Sequence, residues 1–228
     1  MIRSGLLLLA LALSGCASLR AGGEPEAREL VVLIHGMGRS QFSMVPLQLG
    51  LRREGYRTLN FGYNSFGPSI AEIAEELDAE LGDAIEDEAP PRVHFVTHSL
   101  GGIVVRQLLH TDRPDSLGRV VMLAPPNQGS HEADKLSGWL GWMLRPMNEL
   151  RTENSTVADL PPPENVEIAV IAGDRDGKVS VDESRLAGAE HIVVESRHTF
   201  IMNKPSVGRL VRCFLSTGDL TACDSASP

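Results

Sequence analysis

The residues Thr97-His98-Ser99-Leu100-Gly101-Gly102 place one serine hydroxyl between an apolar run at 93–97 and a helical pattern at 100–109. A serine on a sharp strand-to-helix turn is pushed out at the edge of a sheet, and a small residue such as Gly101 lets the two backbones approach. Serine at its free pKa is a poor nucleophile. It becomes a good one when an imidazole takes its proton and a carboxylate holds that imidazole in the right tautomer. The chain has seven histidines. His198, in Ser196-Arg197-His198-Thr199-Phe200, follows the last predicted strand and is the expected base. His191 falls before or within that strand and does not easily reach Ser99. The loop Asp174-Arg175-Asp176-Gly177-Lys178-Val179 offers two carboxylates, Asp174 and Asp176, with pairing to Arg175 or Lys178 the expected role of the one left over.

An acyl-transfer centre also needs two convergent backbone N–H donors for the oxyanion. Leu100, directly after the serine at a helix start, is expected to supply one. Met37, in His35-Gly36-Met37-Gly38 after the first strand, is expected to supply the other, with glycines on both sides to permit the geometry. His94 and His98 lie four apart around a strand end, but no third ligand accompanies them, so no metal is expected. His98 is expected to pack beside the serine turn, and His110 and His131 to be surface or loop polarity. No cofactor motif is present.

The elements that must hold these residues alternate between apolar runs and amphipathic stretches. Strands are predicted at 30–35, 56–63, 93–97, 120–124, 166–172 and 192–195. Helices are predicted at 44–53, 70–85, 100–109 and 207–215. The continuous apolar run 30–35 fits a strand buried on both faces. The acidic helix at 70–85 carries an apolar stripe of Ile70, Ile73, Ala74, Leu77 and Leu81, continued by Ala84 or Ile85. The alternation predicts an α/β fold: a doubly wound, mainly parallel sheet of about six strands with helices on both faces.

A length of 228 residues suits one such domain, and 42% hydrophobic residues suffice for its core. A net charge of -9, with no basic run, argues against a nucleic-acid partner. Residues 1–15 read as a secretory signal whose apolar stretch, 6–13, is too short to span a bilayer. It ends in Leu13-Ser14-Gly15-Cys16, which resembles the bacterial lipobox. That resemblance implies a lipidated Cys16, an N-terminal membrane anchor, a flexible tether over 16–28 and a place in the cell envelope, on the outer membrane facing the periplasm. The domain is then expected over 29–217, with a C-terminal tail at 218–228.

Residues 30 to about 215 resemble a compact α/β-hydrolase, nearest in character to small bacterial lipases and GPI-inositol-deacylase-like esterases. Thr97 stands where the family usually has Gly. The order Ser99, acid, His198 is the family's order. Its G-x-x-D-x-x-V pattern places the acid at Asp176 and leaves Asp174 as competitor. Ala124-Pro125-Pro126-Asn127-Gln128-Gly129-Ser130 is similar to the family's P-H-x-G-S loop, departing from it at Asn127 and Gln128. The two antiparallel strands that begin larger members have no counterpart before His35. The resemblance implies a serine esterase or lipase that cleaves carboxylic esters, lipids among them, through an acyl-enzyme. An acyltransferase or amidase with the same triad, or an inactive binding lipoprotein, are the competing readings.

An insert at 131–163 follows the fourth strand. Leu136, Trp139, Leu140, Met143, Leu144 and Met147 share one helical face, and Trp142 lies off it. A helix with two apolar surfaces is expected to act as a cap that meets substrate through Trp139 and Trp142. If Cys16 is acylated, Cys213 and Cys223 remain, and an oxidising compartment allows them to pair.

Overall fold

Five consecutive apolar residues, Leu30–Ile34, form β1, and all five are buried. A strand can hide both faces only when both are covered. In this computed structural model, which describes residues 28–134, 145–151 and 160–224, Leu30, Val32 and Ile34 enter one core layer and Val31 and Leu33 the other. The remaining strands are β2 (Arg57–Phe61), β3 (Val93–His98), β4 (Leu117–Leu123), β5 (Ile168–Gly173) and β6 (Glu190–Val194). They form one six-stranded sheet in the order β2-β1-β3-β4-β5-β6, with every pairing parallel. The fold is an α/β-hydrolase fold of the expected class.

Helices α2 (Ile70–Glu88) and α3 (Leu100–Thr111) cover the first layer, through Ile73, Leu77, Ile103 and Val104 among others. On the opposite face lie α1 (Val45–Arg53) and α5 (Pro205–Thr217), with Leu47, Leu51, Val207, Val211 and Phe214 in the second layer. The start of α2 is set by Ser69, whose hydroxyl accepts from the Glu72 N–H while Glu72 accepts from the Ser69 N–H. Such a reciprocal cap stabilises a helix by about 1 kcal/mol. The short α4 (Arg145–Glu149) docks on this point, because Glu149 accepts from the Ile70 N–H at 3.2 Å.

Several boundaries differ from expectation. β2 is shorter than 56–63, and β4 begins three residues early, at Leu117. Within this extension position 118 needs glycine, because a Cβ would lie 2.6 Å from the His94 ring. Residues 41–44 form a 3-10 turn before α1, and α2 runs on to Glu88. After Gly218 caps α5 in the left-handed conformation (φ 75°), the chain turns back into α6 (Leu220–Asp224). Leu220 is buried and Cys223 is bonded to Cys213 across a Cα–Cα distance of 5.6 Å, so residues 218–224 pack on the domain. No helix among the described residues is long and apolar enough to cross a membrane.

Parallel strands bring all their C-terminal ends to one edge. Ile34 pairs with Thr97, His98 with Leu123, and Gly173 with Val194. The loops after β1, β3, β5 and β6 therefore meet there, and these carry Met37, Ser99, Asp176 and His198.

Candidate active site

Ser99 continues β3, donating its N–H to Leu123 O at 2.9 Å, then turns sharply with φ 50° and ψ -120°. A non-glycine residue at positive φ stores strain on the order of 1–3 kcal/mol, and the surrounding packing must impose it. That packing is visible in two glycines. A Cβ on Gly101 would lie 2.7 Å from Ile34 O and 2.8 Å from His35 O, so α3 meets the end of β1 only through glycine. A Cβ on Gly36 would lie 3.0 Å from Ser99 Cβ and 2.7 Å from His98 Nδ1. Thr97, where the family usually has Gly, is fully buried at the end of β3.

His198 Nε2 lies 2.9 Å from Ser99 Oγ, and His198 Nδ1 lies 2.7 Å from Asp176 Oδ2. An ionised carboxylate only accepts, so Nδ1 carries the proton and Nε2 accepts from the serine hydroxyl. The Asp176 carboxylate has no exposed surface, and its Oδ1 accepts from the N–H groups of Lys178 (2.8 Å) and Val179 (2.9 Å). Asp174 does something else. Its Oδ1 accepts from the Ser196 N–H at 3.0 Å, two residues before the imidazole, while Arg175 stands 3.9 Å from its other oxygen. Asp174 thus ties the acid loop to the base loop, a role beyond the expected surface pairing. Gly173 makes the approach possible, because a Cβ there would lie 2.5 Å from Ser196 O.

His98 packs beside the serine turn, and it and His35 make contacts that their positions in the chain do not announce. His98 Nε2 donates to the His198 carbonyl at 3.0 Å, and the two rings lie 5.0 Å apart. Burial is the main cause that lowers the His98 pKa to about 3, assisted by the neighbouring His198. His35 donates from Nδ1 to Gly36 O at 2.9 Å and stacks on Tyr63 at 4.2 Å. Tyr63 in turn donates its hydroxyl to His35 O at 2.7 Å, so the turn leading to Met37 is held from both sides. Neither role leaves a sequence pattern, since each depends on a backbone carbonyl distant in the chain or local to a loop.

Met37, Ser99 and His198 share a cavity of about 280 Å³ with Phe66, Pro126, Ala133, Met147, Leu150 and Val179 on its apolar side. Arg39, Glu132, Lys178 and Thr199 supply its polar rim. Leu100 opens α3, so its N–H is one of the helix donors without an intrahelical acceptor, and the helix dipole favours negative charge at that point. The insert begins at 131–134, where His131 binds Glu183 through both its N–H (2.7 Å) and its Nδ1 (2.8 Å). His131 was expected to be loop polarity; it instead pins the insert to the loop after β5. Asn127, the departure from the family's loop, is buried and donates to Ser184 O at 2.9 Å, while its own carbonyl accepts from Arg106 at 3.0 Å. Cys16, Trp139 and Trp142 lie outside the described residues.

This sheet and site define an α/β-hydrolase, and the comparison with known families agrees: the chain belongs to the alpha/beta hydrolase family, whose model matches residues 31–206. No curated protein sequence matches the chain significantly. Among solved structures it is similar to a Bacillus licheniformis lipase in its mature form, with 18% identity, a TM-score of 0.66 and coverage of 86% of this chain and 94% of that one. It is also similar to a thermophilic esterase from Thermogutta terrifontis, at 15% identity and TM-score 0.65, over 84% of this chain and 91% of that one. A Bacillus anthracis bromoperoxidase shares the fold too, at 16% identity and TM-score 0.63, over 83% and 92%. At these identities the likeness is one of fold, and chemistry must be argued from the site.

Proposed function

We propose that this hydrolase cleaves carboxylic esters with an apolar acyl group, using Ser99 as nucleophile, His198 as base and Asp176 as the acid that orients it. The observation that carries this reading is the unbroken relay from Ser99 Oγ through His198 to Asp176, at 2.9 and 2.7 Å, facing a cavity with an apolar wall. Ser99 Oγ attacks the ester carbonyl as its proton passes to His198 Nε2. The carbonyl oxygen becomes an oxyanion, held by the N–H groups of Leu100 and Met37. Collapse of the tetrahedral intermediate breaks the C–O bond, and His198 returns the proton to the leaving alcohol. Water, deprotonated by the same imidazole, then attacks the acyl carbon; the bond to Ser99 Oγ breaks, His198 returns the proton to that oxygen, and the acid leaves. The alcohol leaves toward Arg39 and Thr199, and the acyl chain lies against Met147, Leu150 and Val179 on the insert side.

The same reading includes Trp139 and Trp142 as cap residues that help to select an apolar acyl group. It also includes Cys16 as the lipidated residue anchoring the domain to the outer membrane from the periplasmic side. A fluorophosphonate should label Ser99, and Ser99→Ala should lose about 10³-fold or more in turnover on an activated ester. A folded wild-type protein that takes no label would refute the reading. Esters of increasing chain length then test the apolar wall, with acetate as the control.

A further inference from the structure

The molecule is electrically polarised across its sheet. Helix α2, on one face, carries nine carboxylates and no Lys or Arg. On the other face α1, α5 and the 3-10 turns Gln41–Met44 and His198–Asn203 pack on one another as a single layer. There the segments 39–54 and 195–224 carry seven Lys and Arg against four Asp and Glu, in a chain whose net charge is -9. Among the described residues, the same layer holds three of the five large exposed apolar side chains: Phe42 (74% exposed), Phe200 (59%) and Leu49 (47%). Arg39 joins this face to the active site. Its guanidinium sits 5.7 Å above the Phe200 ring, its Nη2 donates to Thr199 O at 3.3 Å, and it lines the cavity beside Ser99.

We propose that this layer is a docking surface for an anionic lipid bilayer, which seats the mouth of the active-site cavity at the headgroup level. Phosphate headgroups complement the cationic helices. The protruding phenylalanines have no role in the core and match the depth of the interfacial region, as on amphipathic surfaces that lie in a membrane plane. A soluble polyanion would use the charge but leave the aromatic rings without a partner. The acidic α2 face, repelled by the same headgroups, then points into solvent. This contact is independent of any anchor at Cys16 and of the ester reading.

The test uses the full chain carrying Cys16→Ser, sedimented with vesicles of phosphatidylcholine alone or of equal parts phosphatidylcholine and phosphatidylglycerol. Binding should be about ten-fold or more stronger to the anionic vesicles. That difference should vanish at about 0.5 M NaCl, where the Debye length falls to about 4 Å. Phe42→Ser/Phe200→Ser and Arg53→Glu/Arg209→Glu should each remove most of it, with hydrolysis of a soluble acetate ester unchanged. Glu75→Gln/Glu76→Gln, which makes the chain less acidic on the opposite face, should not raise it. Equal binding to both vesicle types would overturn the proposal. So would insensitivity to the Phe42/Phe200 pair, a rise with the α2 variant matching the loss at the basic face, or heparin binding that the Phe pair leaves as strong as vesicle binding.

Discussion

The Asp176 carboxylate faces His198 Nδ1 at 2.7 Å, while Asp174, two residues earlier on the same loop, turns instead to the Ser196 N–H at 3.0 Å. The two carboxylates position the same imidazole in different ways, one through its ring and the other through the backbone of Ser196, two residues before it. Asp176→Asn should therefore lower kcat by about 10³-fold or more, because an amide no longer favours the working tautomer or stabilises the imidazolium. Asp174→Asn keeps an oxygen for the Ser196 N–H and should cost less than about 10-fold. Steady-state kinetics on one activated ester, with circular dichroism to confirm folding, checks the ranking; a larger loss at Asp174 would reverse the assignment.

Gly101→Ala isolates the close contact between α3 and β1. Alanine is the better helix former by about 1 kcal/mol. The added Cβ, however, would lie 2.7 and 2.8 Å from two backbone oxygens that cannot swing away. The clash wins, and stability should fall by about 1–3 kcal/mol, or several degrees in Tm. Ester turnover should fall with it, because the displacement reaches Ser99. An unchanged Tm would mean that the helix can slide.

Stability should fall as the medium is acidified, and His98 is one identifiable cause. Its pKa lies at about 3 in the fold, below the ordinary 6.5. Between those values the unfolded chain takes up a proton that the native state refuses, so the unfolding free energy drops by up to about 1.4 kcal/mol per pH unit. Above pH 6.5 the effect is absent. Urea melts of His98→Gln, which keeps a donor for the His198 carbonyl, should show a shallower dependence between pH 6 and 4. Parallel pH profiles for the two proteins would remove His98 from the account.

The Cys213–Cys223 bond closes a short loop, with a sequence separation of 10. Chain entropy gives such a link about 2–3 kcal/mol. It also holds α6, whose Leu220 N–H reaches Glu190 on β6 at 2.7 Å. The double variant Cys213→Ser/Cys223→Ser should lower the urea midpoint accordingly while leaving esterase activity within about two-fold, since neither residue borders the cavity. Identical midpoints with and without reductant would contradict this.

Much of the architecture was legible because it follows from local rules. The all-apolar run at β1 requires a strand covered on both faces, and the stripe from Ile70 to Leu81 requires a helix against it. Their alternation leaves a parallel sheet as the economical solution, whose strand ends must share an edge. Ser99, His198 and the Asp174/Asp176 pair could be marked in advance for the same reason: each sits directly after a strand. What remained for the tertiary structure was every relationship that depends on distance across the chain. The family's G-x-x-D-x-x-V pattern favours Asp176 over Asp174, but the separate tasks of the two carboxylates, one on the imidazole and one on the Ser196 N–H, arise only where the two loops meet. The His98 side chain gains its partner only when the His198 carbonyl arrives beside it, and His35 only when Tyr63 stacks on its ring. The asymmetry of charge is likewise invisible in a net value of -9. It exists because α1 and α5, distant in sequence, are laid side by side on one face of the sheet, and α2 on the other.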